Sequence, residues 1–201
     1  SIASVEIELG YPAAGFREEM TQNLRQLIKT AVPELQQINI DIRWRIAAHA
    51  SQSKAPPMRR VSNLIAIASG KGGVGKSTTA VNLARALTAE GARVGLLDAD
   101  IYGPSLPMMM GVPADARPDT RDQKYFVPMS AHCVQLIAMC VLVTESTPMV
   151  WRGPMASGAL QQLLNQTLWD ELDYLLLDMP PGTGDIQLTW SQSAPLTAAD
   201  M

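Results

Sequence analysis

Residues 69 to 78, "SGKGGVGKST", complete the pattern G-x-x-x-x-G-K-[ST] with Gly70, Gly75, Lys76 and Ser77. Glycines at this density let successive backbone N–H groups turn inward around phosphate oxygens, and a helix that starts just beyond them adds the partial positive charge of its N-terminus. Gly70, Lys71, Gly72, Gly73, Val74 and Gly75 would form that cradle. Lys76 would reach the β- and γ-phosphates of a nucleoside triphosphate, the Ser77 hydroxyl would bind Mg²⁺, and Thr78 would reach the α-phosphate. A glycine-rich turn without a ligand does not account for Lys76 and Ser77 together. Lys71 is one lysine more than the pattern needs.

Two carboxylates fit the same reaction. Asp178 ends the run "YLLLD", the position from which a Walker-B aspartate holds magnesium, usually through water. Asp100 ends "RVGLLDAD" and could orient the attacking water. Asp98 lies two residues earlier, on the same face of an extended segment, so either carboxylate could face the phosphates. The competing reading of Asp98 is a strand-end turn residue. "PPGTGD", residues 180 to 185, falls where a loop sensing the γ-phosphate belongs, with Gly182 and Gly184 letting the backbone approach and move.

These residues need a scaffold of buried strands. "NLIAIAS" is almost continuously apolar, as in a strand covered on both faces of a parallel sheet, and the glycine loop follows it directly. Ala80, Leu83, Ala84 and Leu87 then mark one face of a helix that Gly91 stops. "RVGLLDAD", "VQLIAMCVLV" and "YLLLD" supply three further strands, residues 155 to 168 a helix, and the polar, proline-bearing stretch from Gly111 to His132 a loop or excursion. Strands alternating with helices in this way predict a doubly wound, mainly parallel α/β sheet, the fold of a P-loop NTPase domain.

A smaller block precedes it. Val5, Ile7 and Leu9 alternate with Glu6 and Glu8, Met20, Leu24, Leu27, Ile28 and Ala31 recur at helical spacing up to Pro33, and Ile38, Ile40, Ile42, Trp44 and Ile46 alternate with polar residues. This predicts a small β-α-β domain of the α+β class over residues 1 to 48. "HASQSKAPPMRR", residues 49 to 60, reads as a linker whose Lys54, Arg59 and Arg60 form a solvated tether, because no aromatic residues interleave with them. The larger domain then covers 61 to 201.

Composition removes several alternatives. A net charge of -3 gives no overall attraction to nucleic acid or to an anionic membrane, and no apolar run is long enough to span a bilayer. A cytoplasmic protein is expected. Cys133 and Cys140, separated by six residues in an apolar run, read as two small buried hydrophobes in a strand. His49 and His132 read as surface residues without a metal role.

With these residues placed, the loop start Gly70-Lys71-Gly72-Gly73 resembles the deviant Walker A signature of ATPases of the MinD/ParA kind. In that group the extra lysine, here Lys71, crosses a nucleotide-sandwich homodimer to the partner's phosphates. "LLDADIYGPSLPMMMG", "VWRGPMASGALQQLL" and "DYLLLDMPPGTGDIQLT" narrow the likeness to the Mrp/ApbC family of iron–sulfur cluster carriers, over residues 61 to 197. The first block resembles, less closely, the small metal–sulfur-cluster-assembly domain that precedes many members. The reactive cysteine that this likeness places near "GYPAAG" is absent.

The resemblance implies ATP and Mg²⁺ as cofactors, Lys71, Lys76 and Asp100 as catalytic residues, and a homodimer. Its output would be transfer of a [4Fe-4S] cluster to apo iron–sulfur client proteins, in exchange with cluster assembly scaffolds. It also implies a further half-domain with a Cys-x-x-Cys pair that bridges the cluster between subunits. Neither Cys133 nor Cys140 matches that pair, so the chain is expected to be truncated at Met201, with no iron–sulfur ligands of its own. The alternative is a MinD/ParA-type positioning ATPase acting on a membrane or DNA surface. The "WRGP" and "DIYGPS" stretches argue against it.

Overall fold

A computed structural model describes residues 1–49, 58–100, 103–113, 115–142, 153–182 and 194–200. Ile2–Leu9 (β1), Arg17–Ala31 (α1) and Gln37–Trp44 (β2) form the first block, with β1 and β2 paired in parallel from Ile2 opposite Gln37 to Leu9 opposite Trp44. Alternation along β1 half-buries Val5, Ile7 and Leu9 and exposes Glu6 and Glu8, as the sequence pattern predicts. Met20, Leu24 and Ile28 form the half-buried face of α1. Leu27 stays 66% exposed, since two strands are too narrow to cover a helix face of that width.

The larger sheet contains Val61–Ile67 (β3), Val94–Asp98 (β4), Met129–Ala131 (β7), Val134–Ala138 (β8), Leu172–Asp178 (β9) and Ala198–Asp200 (β10). Its order is β10-β3-β9-β4-β8-β7, parallel except for the edge strand β7. The four inner strands are the four apolar runs of the sequence, buried on both faces as a parallel sheet requires. One face packs on Lys76–Ala89 (α2) and the short Leu106–Met109 (α3), through Ala80, Ala84, Leu96, Leu106, Leu136 and Leu176. The other packs on Gly153–Gln166 (α4), through Leu160, Leu163, Leu97, Ile137, Leu175 and Leu177.

Two expectations need correction. "VQLIAMCVLV" is not one strand: β8 stops at Ala138, and Met139–Leu142 turn into a 3-10 helix. An unbroken apolar run is equally compatible with a buried strand and a buried helical turn, so hydropathy alone overextends the strand. The Gly111–His132 excursion also carries more order than its prolines suggest. Thr120–Arg121 (β5) pairs antiparallel with Tyr125–Phe126 (β6), and β7 folds back on β8 with Ala131 opposite Val134. His132 and Cys133 form the two-residue turn between them, at φ of 50° and 62°, the left-handed geometry of a tight hairpin. Cys133 is therefore an exposed turn residue, and Cys140 is half-buried in the 3-10 helix with burial pushing its thiol pKa up. His49 and His132 are exposed, and His49 Nδ1 lies 3.0 Å from Asn63 Oδ1.

The first block rests on the far end of α2. Glu90 accepts Ala14 N–H on its carbonyl (3.1 Å) and Gly15 N–H on its carboxylate (2.9 Å). Gly91, at φ +92°, ends α2 with the Trp44 ring against it; a Cβ there would lie 2.9 Å from Trp44 Cζ2. The residues expected to link the two blocks lie outside the described residues from 50 to 57, while Arg60 accepts Leu172 N–H (2.7 Å) at the start of β9.

Candidate nucleotide-binding site

Three neighbouring parallel strands end level with one another: Ile67 of β3 lies opposite Asp178 of β9, which lies opposite Asp98 of β4. The carboxyl ends of such strands are where open α/β sheets bind ligands. The glycine loop leaves β3 here. Gly73 (φ +76°) and Gly75 (φ +91°) hold left-handed backbone, and Gly75 is the N-cap residue of α2, whose first residues are Lys76 and Ser77. No atom lies within 4 Å of where a Cβ would project from either glycine, so the cradle is open on that side.

Lys76, Ser77 and Asp178 come together. Ser77 Oγ donates to Asp178 Oδ2 at 2.6 Å, and Lys76 Nζ donates to Asp178 Oδ1. The Lys76 side chain is 8% exposed and that of Asp178 fully buried. A hydroxyl and a carboxylate on adjacent strand and helix ends are the hard oxygen donors that a magnesium ion takes, and the glycine cradle with Lys76 suits phosphate oxygens, so the residues present fit both groups.

The loop after β9 closes on the glycine loop. Met179 N–H donates to Ile67 O (3.0 Å), and Gly182 N–H, at φ +130°, donates to Ser69 O (3.0 Å). Pro181 faces Gly72 at 3.9 Å from a would-be Cβ, and Ser69 Oγ donates to the Lys71 carbonyl at 3.0 Å. The Gly182 N–H is thus engaged with the start of the glycine loop, while Gly184 and Asp185 lie outside the described residues. Gly70, Lys71, Gly72, Gly73, Val74 and Thr78 are all exposed, Val74 at 61%.

Asp98 ends β4, Asp100 lies two residues beyond it, and Asp98 takes the strand-end role that is one of the two sequence readings. Asp98 is fully buried and accepts three backbone N–H groups: Asp100 on Oδ1 (3.0 Å), and Ser105 (2.9 Å) and Leu106 (3.0 Å) on Oδ2. It fastens both ends of the loop that carries Asp100 and starts α3. Burial pushes its pKa up to about 6, aided by nearby Asp178 and opposed by the three N–H groups. Asp100 is half-buried, with Gly103 N–H donating to its Oδ1 at 3.1 Å. The sequence patterns put Lys76 and Asp178 in one site, but not the direct ion pair between them. Ile101, Tyr102, Trp151 and Arg152, which carry part of the family likeness, lie outside the described residues.

A glycine loop between a buried strand and a helix, faced by an aspartate on a neighbouring strand, defines a P-loop NTPase of the doubly wound α/β class. Residues 60–200 match the family described as ParA: NUBPL iron-transfer P-loop NTPase. The chain belongs to that family. It is 59% identical over 160 residues to an iron-sulfur cluster carrier protein of Pseudomonas fragi, covering 80% of this chain and 56% of that one. It is 49% identical over 200 residues to the iron-sulfur cluster carrier protein of Haemophilus influenzae, covering 98% and 53%. Among solved structures it resembles a nucleotide-binding protein of Archaeoglobus fulgidus in complex with ADP, at TM-score 0.56 and 35% identity, covering 66% of this chain and 50% of that one. The chain spans about half the length of the curated relatives it matches.

Proposed function

We propose that this chain is the nucleotide-binding part of an iron–sulfur cluster carrier that binds and hydrolyses ATP with Mg²⁺. The observation that carries the reading is the meeting of Lys76, Ser77 and Asp178 under an open glycine cradle. The carrier names of the relatives and the ADP complex of the Archaeoglobus protein support the choice of nucleotide and cargo. Ser77 and Asp178 would hold the magnesium ion, which neutralises charge on the β- and γ-phosphates. Lys76 would bind those phosphates, Thr78 the α-phosphate, and Asp100 would orient the attacking water from the loop that Asp98 fastens. Gly182, bonded to the glycine loop, would register the γ-phosphate and pass its loss to the chain beyond β9.

The [4Fe-4S] cluster is the cargo, passed from assembly scaffolds to apo client proteins in the cytoplasm. Cys133 and Cys140 occupy a hairpin turn and a 3-10 helix, and no group of three His, Cys, Asp or Glu suited to a metal ion exists among the described residues. We assign the cluster ligands to the Cys-x-x-Cys pair that the family resemblance implies, rather than to Cys133 or Cys140. We assign the active unit as a homodimer with the exposed Lys71 reaching the partner's phosphates, residues 61–201 as part of the ATPase domain, and 1–48 as a small docked domain. No described helix is long and apolar enough to cross a membrane. Calorimetric titration of the full-length protein with magnesium ATP, followed by transfer from a reconstituted carrier to an apo iron–sulfur enzyme, tests the reading. Stoichiometric binding and activation are expected; absence of either overturns it.

A further inference from the structure

The end of the sheet away from the glycine loop holds a cavity of about 1010 Å³ that the reading above does not use. Val61 at the start of β3, Gln135 near the start of β8 and Trp169 just before β9 line it. The seven residues of β3 separate it from the glycine loop by roughly 20 Å. Its volume is that of a small-molecule site.

The charge in its walls is one-sided. Arg59, Arg60 and Arg121 line it against one acid, Asp170. Asp170 is already engaged: its carboxylate accepts Gln135 Nε2 (2.6 Å), and its N–H donates to Gln135 Oε1 (3.1 Å). None of the three arginines is in an ion pair among the described residues. Arg60 Nη1 donates to the Trp169 carbonyl at 3.4 Å, which ties the sequence-predicted tether to the cavity wall.

A second observation points to a ligand independently of the arginines. Trp169 Nε1 and Thr167 Oγ1 are enclosed and, among the described residues, have no hydrogen-bond partner. Both residues line the cavity, 2% and 7% exposed. The indole cannot turn away cheaply, since it packs beside Gly95, where even a Cβ would lie 3.2 Å from Trp169 Cζ3. Buried donors left unpaired are rare and unfavourable, so a shift of this wall that opened them to the cavity would favour an acceptor there. Guanidinium groups recognise planar or tetrahedral oxyanions through paired N–H groups, and a tryptophan N–H can only donate.

We infer that this cavity binds a small molecule carrying at least two oxyanion groups, carboxylate or phosphate, at a site separate from the glycine loop. Arg59 and Arg121 supply the charge that binds the oxyanions, Arg60 holds the Trp169 segment, and Trp169 and Thr167 form part of the wall.

The test follows the Trp169 indole N–H by nitrogen-15 NMR in the full-length protein, assigned with Trp169→Phe. Saturating magnesium ADP keeps phosphates off the glycine loop, and the Trp169 signal reports the lower cavity whether or not that loop binds nucleotide. Citrate, pyrophosphate and neutral glycerol are titrated separately. The expected result is a saturable shift with citrate, with pyrophosphate or with both, which also distinguishes carboxylate from phosphate, and none with glycerol. Arg59→Ala with Arg121→Ala, both at exposed positions, should weaken that binding about a hundredfold, roughly tenfold for each charge-assisted contact. No shift with either anion, an equal shift with glycerol, or unchanged affinity in the double variant would each overturn the proposal.

Discussion

Replacing Lys76 with methionine keeps the length of the side chain and removes its charge. Asp178 is fully buried and the Lys76 side chain 8% exposed, so solvent does little to screen the loss. Removing one partner of a buried ion pair costs about 3–5 kcal/mol, because the remaining charge is stranded. Ser77 still donates to the other carboxylate oxygen at 2.6 Å, which places the expected loss near the lower end, about 3 kcal/mol. For a domain of this size that is a fall in melting temperature of roughly 6–12 °C. The assay is urea and thermal unfolding followed by circular dichroism, without nucleotide. Asp178→Asn added to Lys76→Met removes the stranded charge and should recover about 2 kcal/mol, a coupling that a double-mutant cycle measures. A Lys76→Met protein within about 0.5 kcal/mol of the parent, or losses that simply add, would refute the buried pair as a structural element.

Three other perturbations test different parts of the molecule. Lys71→Ala should leave monomer binding of magnesium ATP nearly unchanged while lowering turnover by about a hundredfold or more, the scale of losing one transition-state donor, and should abolish ATP-dependent dimers in sizing experiments. Turnover and dimers that survive would make Lys71 an ordinary polar loop residue. Asp98→Asn should loosen the loop carrying Asp100 and alter the pH profile. The Asp98 pKa is raised to about 6, so its contribution is greatest below the unfolded value and falls by up to about 3 kcal/mol as pH rises from about 4 through 6. The stability difference between parent and variant should shrink by that amount across this window in urea titrations; a flat difference would remove the assignment. Gly91→Ala should cost about 1–2 kcal/mol from the left-handed φ of +92°, plus the displacement of Trp44, and should raise proteolysis between the first block and α2. Unchanged protection would show that the Trp44–Gly91 contact does not hold the first block in place.

The parts of this fold that were legible in the sequence are those where one physical signal dominates. Val61–Ile67, Val94–Asp98 and Leu172–Asp178 are buried on both faces, so each carries an apolar run, residues 64 to 67, 94 to 97 and 174 to 177, with polar residues close to its end. The glycine loop is legible because left-handed backbone at Gly73 and Gly75 demands glycine, and the chemistry demands Lys76 and Ser77 beside it. Legibility fails where the same composition serves two conformations. Met139–Leu142 continue the hydropathy of β8 but turn away from the sheet. The His132–Cys133 turn uses two non-glycine residues at positive φ, and β5 and β6 are two residues each, too short to show a period. Arg59 and Arg60 read as a solvated tether because their neighbour Trp169 is far away in sequence; only the fold brings the tether to it.

If the chain is the nucleotide-binding part of a carrier, as proposed, nucleotide state at the Lys76–Ser77–Asp178 site governs release of the iron–sulfur cluster. The most direct test is the rate of cluster transfer from the reconstituted full-length protein to an apo acceptor, followed by visible circular dichroism, with magnesium ATP, with magnesium ADP and with neither. A switch requires that the cluster-retaining and cluster-releasing forms differ in affinity for the two nucleotides. Different transfer rates are expected in the ATP and ADP samples, with loss of that difference in Lys76→Met assayed below its melting temperature. Equal rates in all three samples, with nucleotide binding verified in the same preparation, would contradict it.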